Sequence, residues 1–90
     1  MKKRGGLAAY LKEKRIQAGL TQSEVAKKLG YSSPQFVSNW ERGLANPPVF
    51  VLRDLTKMYK VPVDELFDLI VEDFKQGLQR ELSAGRRRAR

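Results

Sequence analysis

Neither cysteine nor histidine occurs in the 90 residues of this chain. Without cysteine there is no disulfide framework and no thiolate to attack a substrate or bind a metal. Without histidine as well, the commonest zinc ligands and the commonest general base are missing, so no metal centre and no cofactor is expected. Long apolar runs are also lacking. None approaches the roughly 20 residues that a membrane helix requires, and the basic start MKKR is not followed by the apolar core of a signal peptide. No membrane partner is therefore expected, and the expected location is cytoplasmic. Ninety residues leave room for one domain. Asp64, Glu65 and Asp68 cluster at a helix start, where the helix dipole accounts for them. With no phosphate-cradling glycine loop beside them, no catalytic constellation is visible, and the protein is not expected to be an enzyme.

Charge is what the chain has in excess. The net charge is +8, from 18 basic and 10 acidic residues, and it is unevenly placed. Residues 1–62 carry 12 basic and 4 acidic residues, residues 63–85 carry 2 and 6, and residues 86–90 add four arginines. A basic body with basic ends suits a polyanion, because neutralising phosphates releases counterions. The plainer reading is a surface that keeps the protein in solution.

Apolar periodicity and capping signals divide the chain into five helices. Residues 1–6 form a basic arm containing Lys2, Lys3 and Arg4. Leu7–Ala18 reads as a helix with an apolar stripe through Leu7, Leu11 and Ile16, stopped by Gly19. Thr21 with Glu24 three residues on is a capping box, opening a helix Gln22–Leu29 whose inner face is Val25, Ala26 and Leu29. Gly30 ends it. Ser33-Pro34 opens the next helix, Pro34–Glu41, in which Phe36, Val37 and Trp40 share a face. After the LANPP loop, Val49–Tyr59 forms a fourth helix with Phe50 or Val51, Leu52, Leu55 and Met58 as core residues. Pro62 opens the last, with apolar residues at Val63, Leu66, Phe67, Ile70, Val71, Phe74, Leu78 and Leu82. Ser83–Arg90 is a basic tail for which no fold is expected. No strand-like alternation is present, and the expected class is all-α.

The stretch Thr21–Gly43 meets the demands of a helix-turn-helix. A small residue, Ala26, stands where two helices must approach closely, and Gly30 can take the positive φ of the turn. Val37 and Trp40 anchor the second helix from inside. Its outer face carries Ser33, Gln35, Ser38 and Asn39, short polar side chains able to hydrogen-bond base edges in a major groove. Plain bundle packing explains the helix pair alone about as well; what favours DNA reading is the coincidence of spacing, polar outer face and basic charge.

The residues LKEKRIQAGLTQSEVAKKLGY, then VSNWERG, then PP with LRDLTKMYKVPVDELFDL resemble the lambda-repressor-like, Xre-family helix-turn-helix domains of phage repressors and bacterial regulators. The likeness covers residues 7–69. It implies a five-helix DNA-binding domain acting as a sequence-specific transcriptional regulator, a repressor of phage type or antitoxin-like. It also implies double-stranded DNA as partner and a nucleoid-associated location; no effector domain is visible in the sequence, so no small-molecule ligand is expected. By the same resemblance, Gln35 and Asn39 read bases with Ser38 and Ser33 beside them. Gln22 meets a phosphate and braces the recognition helix, and Arg42 meets the backbone. Arg15 and Glu41 form a structural ion pair. The chain departs from the family pattern between Gly30 and Val37, which is one residue longer than the common spacing. The extra residue is placed in the Tyr31–Ser33 turn. Pro34 also stands where a polar reader is common.

The family's core closes near Leu69, yet the last helix runs on through residues 70–82. Its Ile70, Val71, Phe74, Leu78 and Leu82 invite a partner. The expectation is a homodimer on an inverted-repeat operator. The alternative is a protein-interaction module whose working surface is this stripe. Lys2, Lys3 and Arg4 are expected on DNA phosphates or in the minor groove, as are Arg86, Arg87, Arg88 and Arg90 at the other end.

Overall fold

The computed structural model describes the backbone of residues 6–88 and the side chains of residues 6–84. Among these residues the chain forms five helices and no strand: α1 (Gly6–Gln17), α2 (Gln22–Leu29), α3 (Gln35–Glu41), α4 (Val49–Tyr59) and α5 (Val63–Arg88). No helix among them is long and apolar enough to cross a membrane. Lys2, Lys3, Arg4 and Arg90, and the side chains of Arg86, Arg87 and Arg88, lie outside the described residues.

Local sequence accounts for the helix ends. The Thr21 hydroxyl accepts from the Glu24 amide at 3.0 Å, and the Glu24 carboxylate accepts from the Thr21 amide at 2.8 Å, closing the expected capping box. At the other end of α2, Gly30 adopts φ 90, and the amides of Gly30 and Tyr31 reach back to the carbonyls of Lys27 and Ala26. α4 ends by the same device with a costlier residue. Lys60 sits at φ 54 while Val61 N–H donates to the Thr56 carbonyl, and a side chain there crowds its own backbone. Lys60→Gly is expected to raise stability by about 0.5–1 kcal/mol. A thermal melt showing a lower midpoint would contradict this.

α1 is the central element, packing against α3, α4 and α5, while α2 packs on α3. The core joins Leu7, Tyr10 and Leu11 of α1, Val25 and Ala26 of α2, Val37 and Trp40 of α3, Val51, Leu52, Leu55 and Tyr59 of α4, and Leu66 of α5. Leu20, Leu29, Tyr31, Met58, Leu69 and Ile70 pack around it.

Two expected core positions are corrected. Ile16 is exposed, because the inner face of α1 centres on Tyr10, Leu11 and Arg15, and Ile16 falls nearly opposite. Phe36 is exposed and lies against Tyr31, ring centroids 4.8 Å apart, instead of entering the core beside Val37. Of the two alternatives in α4, it is Val51 that is buried and Phe50 that faces outward. Tyr10 and Tyr59 are core residues the apolar pattern missed. The Tyr10 hydroxyl is buried without a hydrogen-bond partner of good geometry. Burial, then the nearby Glu65 carboxylate, push its phenol up to about 12.

α5 is one uninterrupted helix of 26 residues, and Gly77 does not break it. The tail boundary expected at Ser83 falls inside it, since the helix continues to Arg88. Ala and Arg are good helix formers.

Candidate nucleic-acid interface

α3 is held from three sides before it presents anything outward. Val37 and Trp40 are 1% and 4% exposed and fix its inner face. Tyr31, in the turn before it, lies edge-on to Trp40 at 5.9 Å. The turn from Gly30 to Pro34 thus accommodates its extra residue with both anchors still buried. Pro34 caps the helix rather than standing in its first turn, its carbonyl accepting from Ser38 N–H at 2.9 Å. The Ser33 hydroxyl accepts from the Gln35 amide at 3.3 Å, a local turn across Pro34 rather than the expected N-cap, and Ser33 stands exposed beside the outer edge of the helix.

The third hold is a buried polar network centred on Glu41, at the C-terminal end of α3. Arg15 Nε donates to Glu41 Oε2 at 2.7 Å and Arg15 Nη2 to Glu41 Oε1 at 3.0 Å, a bidentate pair. Arg15 Nη1 donates to the Leu20 carbonyl at 2.9 Å, and Gln22 Nε2 donates to Glu41 Oε1 at 3.0 Å. The side chains of Arg15 and Glu41 are 11% and 3% exposed. The hydrogen bond to Glu41 raises the Arg15 guanidinium further above its ordinary value. Tyr59 of α4 lies against the same cluster: burial, then the Glu41 carboxylate, push its phenol up, while Arg15 pulls it down. One carboxylate therefore ties together α1, the start of α2 and α3. The Leu20 carbonyl and Tyr59 are partners that residue type and spacing did not signal.

On the outer side, Gln35, Ser38, Asn39 and Arg42 fall within about 100° of arc, opposite Val37 and Trp40. Gln35 and Arg42 are exposed, and Ser38 and Asn39 are half-buried. Gln35 Nε2 donates to Asn39 Oδ1 at 3.0 Å, so the two amides form one unit. That unit keeps free amide N–H groups and free acceptor lone pairs on both residues, the pattern that matches the N6 and N7 edge of adenine. Gln22 is half-buried, and its amide nitrogen has a second N–H beyond the one given to Glu41. The structure brings Gln22, Ser33, Gln35, Ser38, Asn39 and Arg42 together on or beside α3. Val71, Phe74, Leu78 and Leu82 lie apart, exposed along α5, while Ile70 packs against the core and leaves that group.

Two short helices meeting across a left-handed glycine turn, the second anchored inside and polar outside, define a helix-turn-helix, a class of DNA-binding domain. A helix-turn-helix family model matches residues 11–66, and the chain belongs to that family in its lambda-repressor-like, Xre form. It is 40% identical over 60 residues to the HTH-type transcriptional regulator ImmR of Bacillus subtilis (strain 168). That match covers 67% of this chain and 46% of the relative, so the chain spans about half the length of the curated relative it matches. No solved structure matches the chain.

Proposed function

We propose that the protein is a sequence-specific transcriptional regulator that inserts α3 into the major groove of double-stranded DNA and represses by occupying its operator. The observation that carries this reading is the Gln35–Asn39 pair, held outward on a helix whose inner side is locked by Trp40 and the Glu41 network. An outer face retained only for solubility has no need of two coupled amides. Ser38 and Ser33 stand beside the pair for further base contacts. Gln22 and Arg42 flank it and reach phosphates, which position the helix without reading sequence. The net charge of +8 supports the phosphate-binding part of this account. Lys2, Lys3 and Arg4 add contacts from the N-terminal arm. A homodimer formed through the α5 extension sets two recognition helices about one DNA turn apart, roughly 34 Å, and selects an inverted repeat. The test is selection of bound fragments from genomic DNA followed by sequencing. An inverted-repeat motif is the expected outcome, and recovery of fragments with no common motif would contradict base reading.

A further inference from the structure

Phe36 stands where the core does not use it. The inner face of α3 is closed by Val37 and Trp40, and Phe36, the second residue of the helix, remains 53% exposed. Its ring lies against Tyr31, with centroids 4.8 Å apart and planes inclined by 36°. Tyr31 is itself half-buried against the core and edge-on to Trp40. Three rings therefore run outward from the core, and Phe36 is the outermost. The contact with Tyr31 orients the ring but leaves apolar surface uncovered, and that surface gains free energy when a partner removes it from water.

The place of Phe36 on the helix identifies the partner. The N-terminal residues of a recognition helix are the ones that reach base edges. Successive residues turn by about 100°, so Phe36 lies about 60° from Asn39, on the flank between Asn39 and Trp40. Residues three apart on a helix are surface neighbours, with about 5–6 Å between their Cβ atoms. The coupled amides of Gln35 and Asn39 suit the N6 and N7 edge of adenine, and adenine is paired with thymine. That thymine presents a C5-methyl group in the same groove, and a methyl group offers an amide or a hydroxyl nothing to hydrogen-bond.

We propose that Phe36 is a specificity-determining residue that packs on the C5-methyl group of a thymine, in the A·T pair read by Gln35 and Asn39 or in the pair beside it. Tyr31 is the positioning residue that fixes the ring from behind. The contact separates thymine from cytosine, which lacks the methyl group.

This rests on the base-reading role of α3 proposed above. The test exchanges thymine for uracil, which removes the methyl group and keeps every hydrogen-bonding group. Duplexes carrying the motif selected from genomic DNA are made with uracil at one thymine of a half-site at a time, and the affinity of the full chain is measured for each. At one thymine, or at two adjacent ones, the unaltered protein is expected to lose about three- to fivefold, the effect of one buried methyl group. Phe36→Ala is expected to bind the thymine duplex about three- to fivefold more weakly, and the uracil exchange at that position to have no further effect. Phe36→Gln keeps a helix-forming side chain against Tyr31 and is expected to lose the methyl dependence in the same way. Emission of the buried Trp40 reports that each variant is folded. Uracil tolerated at every position, a half-site without thymine, or a uracil effect that persists in the folded variants would each overturn the proposal while base reading by Gln35 and Asn39 stands. The absence of any common motif among the bound fragments would overturn both.

Discussion

Replacing Glu41 with alanine is expected to lower folding stability by about 3–5 kcal/mol, the usual cost of leaving a buried charge without its partner. The size follows from burial. An exposed ion pair contributes about 0–1 kcal/mol, but the Glu41 side chain is 3% exposed and that of Arg15 11%. Without Glu41, the Arg15 guanidinium keeps only its bond to the Leu20 carbonyl, and the Gln22 amide loses its acceptor. Each kcal/mol shifts the melting midpoint of a domain this size by about 4–8 °C. The single tryptophan, Trp40, is buried beside this region, and its emission reports unfolding directly. The double variant Arg15→Met, Glu41→Leu is expected to be more stable than Glu41→Ala, since it leaves no charge unpaired. A loss below about 1 kcal/mol in the single variant would mean the pair behaves as a surface contact.

Leu55→Ala is expected to cost about 2–5 kcal/mol, measured by the same Trp40 emission in a denaturant titration at fixed protein concentration. Leu55 is 1% exposed in the middle of α4's inner face and belongs to the core, where the surrounding side chains cannot all relax into the space left. Phe50→Ala on the same helix is the control. Phe50 is 66% exposed, and its truncation is expected to change stability by no more than about 0.5 kcal/mol. Equal losses at the two positions would contradict the packing of α4 described here.

The all-α class, the five helices and the helix-turn-helix were legible in the sequence because punctuation and periodicity agree there. Thr21 with Glu24, Gly30 and the prolines each set a boundary that backbone chemistry enforces. What the pattern could not show is which apolar residues face in when a polar one holds a core position. Arg15 occupies the inner face of α1 because Glu41 neutralises it, and that displaces Ile16 outward. A reading that treats arginine as surface places Ile16 inside. Tyrosine is ambiguous for the same reason, so Tyr10 and Tyr59 were missed. On α5 a single 3-and-4 pattern hid two stripes. Ile70 was grouped with the exposed residues, although it packs beside Leu66, and only the three-dimensional position of α1 separates the faces. In the interface, residue type alone picked out Gln35 and Asn39 as polar and outward. Their mutual hydrogen bond depends on rotamers that no spacing encodes.

The claim at the centre of this account is that α3 reads bases through Gln35 and Asn39. The most direct test measures the affinity of the protein and of Gln35→Ala for an operator selected from genomic DNA and for every single-base change within one half-site. A loss of about 1–3 kcal/mol on the operator is expected, with discrimination relaxed at one or two adjacent base pairs and unchanged elsewhere. A loss uniform across all sequences would contradict it, because Gln35 would then touch only the phosphate backbone.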